Sequence, residues 1–100
     1  MHQIELKLND QQRGGFVIDE GGQRIAEMAV AISGGNIIVY HTEVSETLRG
    51  QGVAAKLLEQ MVEYARKNQL KVVPLCPYVL AQFKRRTEQY ADIWNQNWHQ

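Results

Sequence analysis

The hydrophobic period of this chain changes once, just after residue 44, and that change limits the possible folds more than any single motif does. Before it, apolar residues recur at every second position. Ile4, Leu6 and Leu8 alternate with Glu5 and Lys7, the pattern of a half-buried strand. Phe16-Val17-Ile18 follows, then the alternating set Ala26, Met28, Val30 and Ile32, then the β-branched run Ile37 to Val44. Gly14-Gly15, Gly21-Gly22 and Gly34-Gly35 punctuate these runs and read as three turns, because glycine enters positive φ without steric cost. Four strands joined by short turns predict an antiparallel meander.

After the change the period is helical. Ala54, Leu57, Leu58, Met61, Val62 and Ala65 fall on one face, with Lys56, Glu59, Glu63 and Lys67 outside it. The spacing predicts a helix over Gly52–Asn68. Leu70 to Val73 reads as a short strand stopped by Pro74, so strand, helix and strand form a βαβ unit with parallel strands. Pro77 suits the first turn of a second helix burying Val79, Leu80 and Phe83. Tyr90, Ile93, Trp94, Asn97 and Trp98 share a helical face and predict a third, terminal helix. No linker or repeat interrupts residues 1–100, which read as one α+β domain.

Composition narrows the partners. Eleven basic and eleven acidic residues cancel, which argues against a nucleic-acid arm or an acidic tail. No apolar run approaches the ~20 residues of a membrane span. Met1 to Glu5 lacks the features of a signal peptide, so a cytoplasmic protein is expected. The single cysteine, Cys76, allows no internal disulfide, and His2, His41 and His99 lack metal-ligand spacing, so no metal is expected.

The segment Leu48-Arg49-Gly50-Gln51-Gly52-Val53-Ala54-Ala55 joins the last meander strand to the long helix. Glycines at the positive end of a helix let backbone N–H groups converge on a phosphate. A P-loop would need Gly-Lys-Ser/Thr, and Lys56 comes too late. Gly50 to Ala55 satisfies the dinucleotide pattern G-x-G-x-x-A, but the next strand ends Val73-Pro74-Leu75-Cys76 without the ribose-binding acid. The plain alternative is a glycine-rich turn feeding a helix.

Arg49-Gly50-Gln51-Gly52-Val53-Ala54 also reads as Arg-x-x-Gly-x-Ala, and here the chain resembles the GNAT superfamily of N-acetyltransferases. It is similar in particular to the small YjdJ-type GNAT-like proteins. These carry His-Thr-x-Val before the loop, as His41-Thr42-Glu43-Val44 does here. They carry Val-x-Pro-x-Cys-x-(aromatic)-Val after the helix, as Val72 to Val79 does. The match runs from Ile25 to Tyr90, although Thr87-Glu88-Gln89-Tyr90 keeps only the tyrosine of an expected His-Pro-Glu-Tyr-like segment. The resemblance implies a minimal GNAT-like fold without the usual C-terminal strand pair. It implies acetyl-CoA as co-substrate, its pyrophosphate held over Gln51, Gly52, Val53 and Ala54 beside Arg49 and Gly50. The pantetheine arm would lie along Thr42 and Val44, with Cys76 and Tyr78 near the thioester.

Two residues are candidates for catalysis. Cys76 precedes Pro77, hence sits at a helix N-cap, where the dipole favours a thiolate. It could accept the acetyl group, donate a proton or line the pocket; the ordinary fate of a free cysteine is that of a small buried hydrophobe. His41 suits a general base, and strict alternation puts it on one face with Ile37, Val39 and Glu43, opposite Ile38, Tyr40, Thr42 and Val44. A strand histidine is more often structural, and Glu43 could orient it or remain an exposed strand-end carboxylate. Tyr78 could donate a phenolic proton or simply pack. Lys84-Arg85-Arg86 could meet the coenzyme 3′-phosphate or form a solvated helix end. Trp94 and Trp98 read as core or interface anchors, so a monomer or weak dimer is expected.

The reading is an acetyl-CoA-binding N-acetyltransferase acting on an unidentified amine. A coenzyme-A-binding module or sensor with little turnover is the alternative, and a nucleotide-binding domain the weaker one.

Overall fold

The computed structural model describes residues 3–98. Five strands form one sheet in the order β1-β2-β3-β4-β5. They are β1 (Glu5–Leu8), β2 (Arg13–Glu20), β3 (Gln23–Ser33), β4 (Asn36–Val44) and β5 (Lys71–Pro74). The first four pair antiparallel and β5 lies parallel to β4. A single 3-10 turn, Glu46–Leu48, leads into α1 (Val53–Lys67); α2 (Pro77–Arg85) and α3 (Thr87–Tyr90) follow β5. This is the expected α+β architecture, a four-stranded meander with one parallel strand and three helices.

One face of the sheet carries the core. Phe16, Ile18, Ala26, Met28, Val30, Ile37, Val39 and Val72 pack in a single cluster with Leu57, Leu58, Met61, Val62 and Ala65 of α1 and with Val79 and Phe83 of α2. These α1 positions are the predicted apolar face, and the helix forms because burying that stripe outweighs its marginal stability alone. The other face bears no helix. Its Ala31, Ile38 and Val73 form a cross-strand row, and Asp19 on it receives Lys7 Nζ and Arg24 Nε at 2.9 Å each.

Three expectations are corrected. Gly14 and Gly15 lie inside β2, not in a turn. A Cβ on Gly14 would stand 1.8 Å from the Lys7 carbonyl oxygen, so these glycines serve close strand approach. The turn belongs to Asn9, whose Oδ1 accepts from the N–H of Gln11 and Arg13 at 2.8 and 3.1 Å.

The second correction is the phase of β4. Ala29 pairs with His41 but Val30 pairs with Val39, so Tyr40 is an extra residue, a β-bulge. The bulge resets the alternation. Thr42 and Val44 join the core face of Met28 and Ala26, while His41 and Glu43 fall on the open face.

The third correction is the terminal helix, which stops at Tyr90. Beyond it, Ile93 to Asn95 runs beside β5: the Val72 N–H donates to Ile93 O at 2.6 Å and the Asn95 N–H donates to Val72 O at 2.9 Å. Tyr90 and Trp94 are apolar neighbours at helical spacing, but both are held by Phe83, stacked at 4.5 Å and edge-on at 5.6 Å. Arg66 fastens the segment by bonding Asp92 and the Gln89 carbonyl, and Lys71 bonds the Asp92 carbonyl.

Candidate functional site

The site grows from the place where β4 and β5 part. Their pairing ends at Val39↔Pro74, because proline stops β5 and the Tyr40 bulge bends β4. The Cys76 N–H closes the junction by donating to Val39 O at 2.8 Å. From Tyr40 onward β4 pairs with β3 alone.

Antiparallel ladders alternate, which fixes where the free groups point. The Ser45 N–H donates to Ile25 O at 2.8 Å, continuing the ladder with Ser45, Glu43 and His41 turned towards β3. Thr42 and Val44 therefore direct their backbone N–H and C=O into the gap left by β5.

Side chains of β4 and of the start of α2 meet there. Thr42 Oγ1 lies 3.4 Å from Cys76 Sγ, a hydrogen bond across the gap. Cys76 is the N-cap of α2 in an extended conformation, 1% exposed, and its side chain makes no cap bond. The sulfur is thus held by Thr42 rather than spent on the helix. Tyr78, half-buried in the first turn of α2, has its phenol pKa raised above 10.0, chiefly by burial and further by Tyr90 and Cys76 nearby.

The glycine loop lies at the other end of this part of β4. Gly50 and Gly52 hold φ of 83° and 68°, values that disfavour any side chain, and no atom lies within 4 Å of a Cβ built on either. Gly52 is the N-cap of α1, without a side-chain cap and with no acid in the first turn. The first helical bond is Lys56 N–H to Gly52 O, so the N–H groups of Val53, Ala54 and Ala55 have no acceptor in the helix. Gln51 differs from expectation, since its N–H donates to Leu48 O at 3.2 Å. Arg49 is exposed beside the loop, 3.6 Å from Glu46. The donor set suits a phosphate: open amides at a helix N-terminus, a flanking guanidinium and no competing carboxylate in the first turn.

A family model of the GCN5-related N-acetyl-transferases matches residues 15–93. The chain belongs to this family. A GCN5-like protein of Staphylococcus aureus, solved in solution by NMR, is similar at 30% identity and a TM-score of 0.64, over 97% of this chain and 91% of that one. The crystal structure of the Escherichia coli ribosomal-protein-S18-alanine N-acetyltransferase shares the fold at 15% identity and a TM-score of 0.55, over 64% of this chain. The chain spans 42% of that enzyme's length. No curated protein matches.

In this member of the family the expected residues divide into two groups. Thr42, Val44 and Cys76 border the strand gap, Tyr78 follows Cys76 in the first turn of α2, and Arg49 to Ala54 form the loop. His41 stands apart on the open face, 54% exposed, with Nε2 3.5 Å from Glu43 Oε1. Lys84, Arg85 and Arg86 lie exposed at the far end of α2 from Cys76. Among the described residues no cluster of His, Cys, Asp and Glu could hold a metal ion; His2 and His99 lie outside them. No described helix is long and apolar enough to cross a membrane.

The sequence did not reveal two features of the gap. The Tyr40 bulge is one. The other is that Tyr40 and Leu75, the first residues past the last β4–β5 pair, are the exposed large hydrophobics of the described chain, at 42% and 40%. Pro74 was the available signal, since a proline ending a parallel strand forces the partners apart.

Proposed function

We propose that this protein, of the small YjdJ-type branch of its family, binds acetyl-CoA and transfers the acetyl group to an amine. The observation that carries the proposal is the parted strand pair, where the free backbone groups of Thr42 and Val44 lie beside Cys76. An amide-bearing arm extends such an edge by strand-like hydrogen bonding. The amides of Val53, Ala54 and Ala55, with Arg49, suit the pyrophosphate.

Acetyl-CoA, as substrate, supplies a thioester: the amine nitrogen bonds the carbonyl carbon, the C–S bond breaks, and the sulfur leaves as the thiol once protonated. Tyr78 fits the last need, because burial keeps its phenol protonated and able to donate. His41, backed by Glu43, fits removal of the amine proton from the open face. Cys76 lines the thioester end with Thr42. Attack by its sulfur would leave acetyl-Cys76, which peptide mapping after incubation with acetyl-CoA detects.

A coenzyme-A-binding role with little turnover is the second reading. One observation favours it: His41 and Cys76 belong to opposite faces of β4. Calorimetry against acetyl-CoA, CoA, NAD and ATP tests the ligand. Micromolar CoA binding that is lost in Gly52→Glu, with the circular dichroism unchanged, is expected; binding of NAD but not CoA overturns the proposal. A screen of amines by acetyl-CoA consumption then separates transfer from binding alone.

A further inference from the structure

A cavity of about 440 Å³ opens beyond the end of β5, walled by Val73, Pro74, Leu75, Leu80, Trp94 and Trp98. The C-terminal segment that runs beside β5 forms one wall of it and α2 contributes another. Leu80 and Lys84 are one helical turn apart on α2, on the flank beside the core positions Val79 and Phe83. The cavity reaches towards the strand gap through Leu75, which follows the last β5 residue paired with β4 and precedes Cys76.

Its chemistry is one-sided. Those six walls are apolar or aromatic, and Lys84, Asn95 and Gln96 complete the lining. Lys84 is the one charged residue lining it, and among the described residues no carboxylate pairs with that lysine. Asn95 is already bonded to Asn36 at 2.8 Å. By contrast, a smaller cavity of about 280 Å³ near the end of β4 is lined by Glu27, Glu43 and Arg24, and that arginine is engaged by Asp19. Ligand sites are mostly apolar concavities with a few placed polar groups, and the wide, open concavity beside Leu75 fits that description better than this charged one.

We infer that the Leu75–Trp94–Trp98 cavity receives the body of the acceptor amine, and that this acceptor is aromatic or branched apolar with an anionic group for Lys84. The inference rests on the acetyl-transfer reading above. It places the amine at the Leu75 end, where its nitrogen forms the new C–N bond as the C–S bond breaks, and directs the anion away towards Lys84. A polycationic acceptor is disfavoured on both counts.

Both tryptophans of the chain line the cavity, so their fluorescence reports occupancy without any turnover. The probes are 4-(aminomethyl)benzoate, benzylamine and spermidine, titrated with and without CoA, and then assayed for acetylated product by mass. Saturable quenching in that order of affinity is expected. Lys84→Gln should weaken the benzoate about threefold, as for an exposed ion pair, and leave benzylamine unchanged. Leu75→Glu should weaken the benzoate more than about tenfold by placing a carboxylate in an apolar wall. Equal quenching by all three probes, a preference for spermidine, or indifference to both substitutions overturns the inference. Quenching in the expected order with no acetylated product supports the ligand class and overturns the transfer reading.

Discussion

β4 behaves as two strands laid end to end. From Asn36 to Val39 it is bonded on both edges, and Ile37 and Val39 are fully buried. From Tyr40 to Val44 it is bonded on one edge, and its side chains run from half-buried to exposed. The first half satisfies every backbone group and holds the sheet together. The second leaves alternate groups unspent, which is what a ligand arm needs. One inserted residue and one proline separate the two roles.

That contrast can be broken from either side. Ile37→Ala should cost about 3 kcal/mol of stability, as a fully buried truncation does, whereas Val44→Ala should cost about 1 kcal/mol. Urea denaturation of the pair measures the difference, and equal losses would mean the halves are not distinct. Deletion of Tyr40 removes the bulge that bends β4 and shifts the phase of Thr42 and Val44. Acetyl-CoA affinity should fall more than about tenfold with the fold retained, by calorimetry alongside circular dichroism.

Thr42→Val is subtler, removing only the hydroxyl that holds Cys76. Stability should change by less than about 1 kcal/mol while kcat/KM for any competent amine falls about fivefold. Smallest is the alkaline behaviour of Tyr78. Its folded pKa is raised, so its contribution is complete below the ordinary value of 10.0 and is lost as pH climbs through the folded value. Thermal melts above pH 10 should show a decline that Tyr78→Phe flattens.

Much of this was legible in the sequence. The α1 stripe and the two Gly-Gly hairpins follow from local rules, and the structure keeps all three. Arg49 to Ala54 stood out because Gly50 and Gly52 mark a left-handed turn into a helix. The failures share a cause. In Ile37 to Val44 nearly every residue favours a strand, so either phase reads equally well and the bulge leaves no mark. Gly14 and Gly15 look like a turn because the dipeptide does not say whether glycine serves its own φ or a neighbour's backbone. Tyr90 to Trp98 has helical spacing, yet contacts far away in sequence, with Phe83 and Val72, decide its path. The contact between Thr42 and Cys76 spans 34 residues and no local rule could supply it.

The strip of chain beside β5 also governs how this sheet meets other sheets. A β edge is a row of donors and acceptors that can recruit a foreign strand and seed aggregation. Here Ile93 and Asn95 occupy both groups of Val72, then turn away, so an incoming chain finds no continuous row to copy. At the opposite edge β1 is four residues long and carries Glu5 and Lys7. A short, charged border on one side and an irregular strip on the other discourage edge-to-edge polymerisation, even though the sheet has one face without helices.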